Sequence, residues 1–271
     1  MTIELGDNLD LLPAVPDGAV QMAYADPPFN TGRTQTRRTL TTVAAAPDEG
    51  DRTGFGGRRY ASRLLEQSSY RDTFEDYLGF LMPRLEQVRR TLHETGTLYL
   101  HLDYREAHYV KLALDELFGR ECFLNELIWA YDYGARSRRR WPAKHDTILV
   151  YVKDPAAYHF DAESVDREPY MAPGLVTREK AERGKLPTDT WWHTIVSPTG
   201  REKTGYPTQK PEGVLRRMVQ ASTRPGDLCL DPFAGSGTLG AVARKLGRRY
   251  LLMDESPEAV GVMRRRLAET G

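Results

Sequence analysis

Cysteine, net charge and long apolar runs are all scarce in this sequence, and each scarcity excludes a class of protein. The 271 residues contain two cysteines, Cys122 and Cys229, which lack ligand-spaced neighbours. A disulfide framework and a thiolate zinc site are thereby excluded, so no metal is expected and a reducing, cytoplasmic compartment is favoured. Lys plus Arg total 38 and Asp plus Glu total 38, which excludes a uniformly basic surface. Any polyanion must therefore bind local basic patches.

No segment is long and apolar enough for a membrane span. The longest apolar stretches, such as Thr147 to Val152, have the size of a strand and fall far short of the ~20 residues that a span needs. The N-terminal sequence MTIELGDNLDLLPAV carries two acids and no basic flank, so we expect neither a signal nor a transit peptide. A hydrophobic content of 40% suffices for one large domain.

Apolar segments of strand size alternate with amphipathic segments of helix size along most of the chain. Strands are predicted at 20–25, 97–102, 127–129, 147–152, 227–230 and 250–253. Helices are predicted at 74–94, 106–118, 212–222, 239–246 and 257–268. This alternation predicts an α/β fold, a Rossmann-like, doubly wound and mostly parallel sheet with helices on both faces.

Two segments interrupt the alternation and are both basic. Residues 33–71 contain eight Arg and four acids, are rich in Gly, Thr and Ser, and show no sustained period, which predicts a mobile loop. Residues 131–145, YDYGARSRRRWPAKH, contain four Arg, one Lys, one Asp and three aromatic residues. We predict a solvated basic hairpin or loop there.

A glycine-rich turn follows a predicted strand in LCLDPFAGSGTLGAVARKLG. The strand ends at Asp231, and the glycines before Thr238 let the backbone approach a ligand whose anionic group meets the first amides of a helix. Asp254 ends the next strand about 20 residues later, where an acid binds ribose hydroxyls. A nucleotide-like ligand is predicted, and a turn that serves only packing is the alternative. Because no Gly-Lys-Thr or Gly-Lys-Ser follows, a phosphate-binding P-loop is disfavoured.

A second unusual turn follows the strand VQMAYA. Its prolines, Pro27 and Pro28, fix the backbone, remove two amide donors, and direct the Pro27 carbonyl outward beside the Asp26 carboxylate. These two acceptors suit an amine, and Phe29 suits stacking on a flat ring. A proline turn in which Asp26 only caps the following segment is the alternative.

The sequence resembles the permuted β-class DNA amino-methyltransferases, which use S-adenosylmethionine. The resemblance rests on DPPFNTG at 26–32, TGYPTQKP at 204–211, PGDLCLDPFAGSGT at 225–238 and Asp254, and it covers nearly the whole chain. In this class the DPP(Y/F) motif precedes the glycine turn, which is a circular permutation of the motif order. Here Asp26 precedes Asp231 by 231 − 26 = 205 residues.

The resemblance implies methyl transfer from S-adenosylmethionine to the exocyclic amine of a base flipped out of double-stranded DNA. It implies that residues 1–131 form the catalytic half, 132–203 the target-recognition region and 204–271 the cofactor-binding half of one domain. The expected catalytic positions are Asp26, Pro27, Pro28 and Phe29. The expected cofactor positions are Asp7, Asp26, Thr208, Gln209, Lys210, Asp231, Phe233, Ala234, Gly235, Ser236, Gly237, Thr238 and Asp254. Lys210 as a solvated cation at a helix start is the alternative for that residue.

The recognition region contains a set of basic residues that are available for phosphates or guanine edges. They are Arg136, Arg138, Arg139, Arg140 and Lys144. Trp191, Trp192 and His193 either belong to the same wall or pack under it. The loop at 33–71 is expected to close over DNA and to order on binding. A homodimer and a cognate restriction endonuclease are further partners that this family allows.

Several other activities compete with adenine N6 methylation. Cytosine N4 methylation uses the same acceptor pair, although cytosine enzymes of this class more often carry Ser at the position of Asp26. A catalytically silent DNA-binding or specificity partner is the alternative from another class, and the intact Asp26 and Gly235 argue against it. An NAD-dependent oxidoreductase has no role for DPPF. Methylation of RNA or protein amides is disfavoured, because this sequence lacks the Asn-Pro-Pro motif of those enzymes. Carbon-5 cytosine methylation needs a nucleophilic cysteine, which neither Cys122 nor Cys229 supplies.

Overall fold

The computed structural model describes residues 1–30, 33–44, 52–53, 59–72, 74–134, 136–197 and 199–269. The chain divides into two compact units, of which the first contains residues 1–29 and those from 76 onward and the second contains residues 30–75. Within the described ranges, no helix has the length and apolar content that crossing a membrane requires.

Strands and helices alternate along the chain. The strands are β1 Thr2–Leu5, β2 Val20–Ala25, β3 Arg33–Ala44, β4 Arg52–Thr53, β5 Arg59–Asp72, β6 Leu92–Leu102, β7 Phe123–Ala130, β8 His145–Val152, β9 Thr190–Trp192, β10 Leu228–Asp231 and β11 Arg249–Asp254. The α-helices are α1 Asn8–Leu11, α2 Tyr77–Thr91, α3 Ala107–Phe118, α4 Arg178–Arg183, α5 Glu212–Ser222, α6 Thr238–Lys245 and α7 Pro257–Glu269.

Eight of the strands form the sheet of the first unit, in the order β1-β11-β10-β2-β6-β8-β7-β9. All neighbouring pairs are parallel except those of β8, which runs antiparallel to both β6 and β7. The prediction of a mostly parallel, Rossmann-like sheet is confirmed. Residues 131–144 join β7 to β8, so the predicted basic segment does link two antiparallel strands.

Helices cover both faces of this sheet. On one face, α5, α6 and α7 contribute Leu215, Val242 and Met263 to a core that includes Val150 of β8. On the other face lies α3, whose Asp115 accepts a hydrogen bond from the hydroxyl of Tyr151, the next residue of β8. Neighbouring residues of a strand point to opposite faces, so α3 and α5 lie on opposite sides of the sheet.

Most predicted elements are confirmed within a few residues. Helix α2 is shorter than the predicted 74–94, because Asp76 accepts a hydrogen bond from the amide of Gly79 and begins the helix, while β6 already starts at Leu92. The short elements β1, α1, α4 and β9 were not predicted, because none of them follows a sustained apolar run or period in the sequence.

The second unit corrects the predicted loop at 33–71. β3 pairs antiparallel with β5 from Arg33 opposite Asp72 to Ala44 opposite Tyr60, and β4 pairs with β5. The TQTRRTLTTV sequence within β3 is rich in β-branched residues, which favour strands even where apolar and polar residues do not alternate. Residues 45–51 and 54–58 lie outside the described residues, and ordering on DNA binding stays a prediction.

Candidate active site

The ends of β2 and β10 define the candidate active site. β10 pairs in parallel with β2, with Leu230 opposite Ala23, so the turns that follow both strands lie at the same edge of the sheet. The pKa of the Asp231 carboxyl is raised mainly by burial and further by the charge of Asp26. The proline turn and the glycine turn, 205 residues apart in sequence, are therefore neighbours in space.

Lys210 binds the carboxylate of the proline turn. Its Nζ lies 2.6 Å from Oδ2 of Asp26, and the side chains of Lys210 and Asp26 are 11% and 17% exposed. The same ammonium lies 4.9 Å from the centroid of the Phe29 ring. Lys210 is therefore not a solvated cation, and it fixes both the carboxylate and the ring. Among the described residues, none donates to the other oxygen of Asp26, Oδ1.

Helix α2 holds the proline turn from behind. The hydroxyl of Tyr77 donates to the carbonyl of Pro28 at 2.7 Å, and the side chain of Pro27 is buried. The rings of Pro27 and Pro28 fix two φ angles, and the hydrogen bond holds one carbonyl, so the turn has little conformational freedom. The outward acceptor role of the Pro27 carbonyl stays a prediction.

Hydrogen bonds from backbone amides shape the glycine turn. Asp231 Oδ1 accepts from the amide of Phe233 at 3.0 Å. Asp254 Oδ2 accepts from the amide of Gly235 at 2.8 Å, and its Oδ1 accepts from the amide of Ser256 at 2.9 Å. Burial raises the pKa of Asp254, and these amide bonds oppose the rise. Asp254 therefore joins the turns after β10 and β11.

The residues that start α6 contact the segment that contains Lys210. Gly237 has φ +71°, and a Cβ there would lie 2.7 Å from Cγ of Met263. The hydroxyl of Thr238 donates to the carbonyl of Lys210 at 3.1 Å and lies 3.1 Å from the hydroxyl of Ser236. Both hydroxyls are buried, so Ser236 and Thr238 serve the packing of this turn. Their predicted contact with a cofactor stays a prediction.

The N-terminal segment packs against the same edge of the sheet. Nδ2 of Asn8 donates to the carbonyl of Pro232 at 2.7 Å. Nη2 of Arg84 donates to both carboxylate oxygens of Asp7, at 2.8 and 2.9 Å, and Asp7 also caps α1. The Phe80 ring lies under this guanidinium and 6.3 Å from the Phe233 ring. Asp7 is thus near the glycine turn, and its contact with an adenine ring stays a prediction.

Gln209 and Thr208 differ in what they contact. The Gln209 carbonyl oxygen accepts from the amide and the hydroxyl of Thr204, and its amide donates to the carbonyl of Glu202 at 2.7 Å. Gln209 therefore shapes residues 202–209. Thr208 is exposed with φ +58°, a conformation that costs a β-branched residue free energy. Their contact with a cofactor stays a prediction.

Sequence reasoning missed a buried chain of polar side chains behind Phe29. His101 is 0% exposed, with Nδ1 lying 2.7 Å from the hydroxyl of Tyr24 and Nε2 lying 3.1 Å from Oδ2 of Asp146. The hydroxyl of Tyr131 donates to Oδ1 of Asp146 at 3.0 Å. The His101 ring lies 5.7 Å from the ring of Phe29. These residues lie on or beside strands β2, β6, β8 and β7.

The partners of Asp146 in this chain of contacts favour its charged form. Burial alone raises the pKa of Asp146, but the hydrogen bond and charge of His101, together with the charge of Lys210, lower it below the usual value. One feature of the sequence could have indicated these buried contacts: LYLHLD places a histidine inside a strand that is otherwise apolar on both faces. A buried histidine needs partners for both ring nitrogens, and the sequence does not show which residues supply them.

The predicted DNA contacts all lie in the connection between β7 and β8. They are Arg136, Arg138, Arg139, Arg140 and Lys144. All four arginines are exposed, and Nζ of Lys144 lies 3.6 Å from the 95% exposed carboxylate of Asp132. The connection is at the same edge of the sheet as Asp26, since it follows the carboxyl end of β7, which is parallel to β2. The structure brings these residues together, and their binding to DNA stays a prediction.

The three residues WWH at 191–193 divide between interior and surface. Trp191 is 6% exposed and donates to the carbonyl of Thr188 at 2.6 Å, whereas Trp192 is 75% exposed. His193 contacts the carbonyl of Thr194 through Nδ1. Trp191 therefore packs under the surface that Trp192 occupies.

Neither cysteine is placed for nucleophilic chemistry. Both are buried and free, and burial raises the pKa of Cys229 to about 12, so its thiol stays protonated near neutral pH. Among the described residues, no group of three or more His, Cys, Asp or Glu side chains is placed to hold a metal ion.

The chain belongs to the family of N6-adenine and N4-cytosine DNA methylases, whose family model matches residues 20–265. It is 29% identical to the DNA adenine methyltransferase YhdJ of Escherichia coli (strain K12), over 98% of this chain and 82% of that protein. It is 32% identical to the type II methyltransferase M.HpaI of Haemophilus parainfluenzae, over 72% of this chain and 60% of that protein. The predicted membership among the DNA amino-methyltransferases is confirmed.

Solved structures of DNA methyltransferases share the fold. The PvuII DNA methyltransferase, described as cytosine-N4-specific, matches 98% of this chain and 85% of its own with a TM-score of 0.65 and 16% identity. The M1.HpyAVI–SAM complex matches 98% of both chains with a TM-score of 0.61 and 19% identity. These matches support the α/β methyltransferase fold of the first unit.

Proposed function

We propose that this protein transfers a methyl group from S-adenosylmethionine to N6 of an adenine that is flipped out of double-stranded DNA. One observation carries the proposal: the Asp26 carboxylate and the Phe29 ring are fixed by Lys210 at the same sheet edge as the glycine turn. The groups that we assign as amine acceptor, stacking surface and cofactor turn therefore share one edge of the sheet. Family membership supports an amino-group substrate on DNA.

The residues around the glycine turn suit the proposed cofactor. Gly235 has φ +50°, and a Cβ there would lie 3.2 Å from the Tyr206 ring, so both the backbone conformation and the packing of the turn favour glycine. Asp231 and Asp254 offer carboxylate acceptors for an amino group and for ribose hydroxyls. We assign Phe233, Ala234 and Gly235 to the methionine end. When bound, S-adenosylmethionine supplies an electrophilic methyl group on a sulfonium.

The proline turn prepares the amine for reaction. An exocyclic amine is a poor nucleophile because its lone pair is delocalised into the ring. Lys210 occupies Oδ2 of Asp26, which leaves Oδ1 for one amine hydrogen and the Pro27 carbonyl for the other. Two such hydrogen bonds favour a pyramidal nitrogen with an available lone pair. Orientation of two bound reactants accounts for about 7–11 kcal/mol of barrier reduction. As the nitrogen–methyl bond forms, the methyl–sulfur bond breaks with its electron pair staying on sulfur, and the proton leaves the nitrogen towards Asp26.

Adenine is favoured over cytosine because the motif begins with Asp26 rather than Ser. The name of the E. coli relative also specifies adenine. Moving the base out of the duplex costs a few kcal/mol of free energy, and stacking of the flipped base on Phe29 offsets about 1–3 kcal/mol of this cost. Cytosine N4 is the alternative substrate, since its amine fits the same two acceptors.

The substitution Asp26→Ala tests the reaction. We expect loss of tritium transfer from labelled S-adenosylmethionine to genomic DNA, with the dissociation constant of the cofactor within a few-fold of wild type by isothermal titration. Glu94→Ala, an exposed acid at the start of β6, is the matched control and keeps full activity. Full activity of the Asp26→Ala variant contradicts the mechanism.

Sequencing of DNA from cells that express the protein identifies the base. Long-read sequencing with modified-base detection is expected to show N6-methyladenine at one recurrent sequence. N4-methylcytosine at a recurrent sequence identifies the alternative substrate. Unmodified DNA, together with no tritium transfer by the wild-type protein, identifies a silent DNA-binding partner and ends the proposal.

A further inference from the structure

Trp141 is the most solvent-exposed aromatic side chain among the described residues, at 94%. It follows Arg138, Arg139 and Arg140 in the connection between β7 and β8 and precedes Pro142. A tryptophan gains a large area of apolar contact when it is buried, so full exposure leaves this stabilisation unused in the protein alone. A partner that stacks on an indole ring would use it.

Hydrogen bonds hold the connection between β7 and β8 at its two ends and at its arginines. The amide of Tyr131 donates to the carbonyl of Lys144 at 3.0 Å and closes the base of the connection. The hydroxyl oxygen of Ser137 accepts from the amides of Arg139 and Arg140, both at 3.2 Å. Pro142 fixes the backbone on the other side of Trp141. These contacts present the tryptophan with a limited loss of conformational entropy on binding.

Trp141 lies close to the candidate active site along the chain. It is five residues from Asp146, so its Cα is within about 18 Å of that residue even with a fully extended backbone. Asp146 contacts His101, which lies against Phe29. The same sheet edge therefore carries the tryptophan and the surface proposed to stack on the flipped base.

We propose that Trp141 inserts into the DNA duplex at the position that the flipped base has left. This inference rests on the proposed function. The inserted indole stacks on the neighbouring bases and replaces the lost stacking, while the adjacent arginines bind the flanking phosphates. The five basic side chains of the connection exceed its one acid by four charges, which favours DNA over a second copy of this neutral protein.

A duplex with a central abasic site tests the insertion, because it presents the gap without any recognition sequence. Fluorescence anisotropy compares the binding of this duplex with the binding of the intact duplex. We expect the wild-type protein to bind the abasic duplex about tenfold more tightly, which is the size of one base–aromatic stacking contact. Trp141→Ala binds both duplexes alike, and Trp141→Phe keeps most of the preference.

The matched control is Tyr109→Ala, an aromatic side chain of α3 that is 65% exposed and keeps the wild-type preference. A wild-type protein without preference, or a Trp141→Ala variant that retains it, overturns the insertion. A reduced sedimented mass of Trp141→Ala with an unchanged preference identifies a contact between copies and overturns it as well. Methyl transfer by the wild-type protein separates these outcomes from failure of the proposed function.

Discussion

Nζ of Lys210 lies 2.6 Å from Oδ2 of Asp26, although 184 positions separate the two residues in the chain. The contact joins the segment TQKP to the turn DPPF and brings the ammonium over the ring of Phe29. It also ties the carboxylate to α6, since the Lys210 carbonyl accepts from Thr238. One lysine therefore connects the proline turn with the helix that follows the glycine turn.

Replacement of Lys210 by Met is expected to lower the rate constant of methyl transfer about 10²-fold. The carboxylate of Asp26 and the ring of Phe29 lose their common anchor, and a small misplacement of reacting groups costs about this factor. Single-turnover tritium transfer measures the rate constant. Lys180→Met, in the exposed helix α4, is the matched control. A Lys210→Met rate constant equal to that of the control excludes the positioning role.

Substitutions of Gly237 and Gly247 allow the cost of backbone strain to be distinguished from the cost of overpacking. Their φ angles are +71° and +72°, but a Cβ at 237 lies 2.7 Å from Met263 whereas a Cβ at 247 meets nothing within 4 Å. Both substitutions to Ala carry left-handed strain of about 1–2 kcal/mol. Gly237→Ala is expected to lose about 1–3 kcal/mol more from overpacking. Equal urea midpoints for the two variants contradict this explanation.

The carboxyl of Asp231 predicts a pH dependence of stability. Burial raises its pKa in the folded protein, so the folded state holds the proton more tightly than the unfolded state does. Between the ordinary pKa of Asp and the raised value, this group makes stability fall as pH rises. Asp231→Asn removes the group and keeps an acceptor for the amide of Phe233. The stability of the variant relative to wild type is expected to increase in thermal denaturation as the pH rises above about 4, the ordinary pKa of Asp.

Removal of the His101 imidazole is expected to destabilise the protein strongly. His101→Leu leaves the buried hydroxyl of Tyr24 and the largely buried carboxylate of Asp146 without their partner. Loss of one member of a buried pair costs about 3–5 kcal/mol. Tyr131→Phe removes one neutral donor to Asp146 and is expected to cost about 1–3 kcal/mol. If urea denaturation gives the reverse order, His101 is not the centre of this chain of contacts.

The basic connection predicts a dependence of DNA affinity on salt. Each neutralised phosphate contributes about −0.9 to the slope of log affinity against log salt concentration. Reversal of charge at Arg138, Arg139 and Arg140 is expected to flatten the slope by about 0.9 for each phosphate that the variant no longer neutralises. A titration of a labelled duplex at several salt concentrations measures the slope. An unchanged slope places the phosphate-binding side chains elsewhere in the protein.

Local patterns in the sequence predicted the elements that hold the site. The apolar run VQMAYA before two prolines predicted β2 with its end at Ala25, and the segment after Pro211 predicted α5 from Glu212 to Ser222. The signals for these elements, an apolar run and an amphipathic period next to prolines, lie within a few residues of each other in the sequence. The strands β3 and β5 were not predicted, because their residues show no sustained alternation of apolar and polar side chains, and the pairing of Arg33 with Asp72 is visible only in the folded chain.

The residue types at the two turns predicted an acceptor pair, a stacking ring and a ribose-binding acid, because the chemistry of proline, glycine and carboxylate groups does not depend on the fold. These roles stay predictions. Folding settled which of these groups meet. Lys210 binds Asp26 and is not solvated, and His101 contacts Tyr24 and Asp146. The sequence does not show these contacts, because long-range partners follow from strand order and side-chain direction. A one-dimensional pattern records neither of these. The parallel pairing of β2 with β10 brings the two turns together, and the pairing of β6 with β2 and with β8 places His101 beside Tyr24 and Asp146.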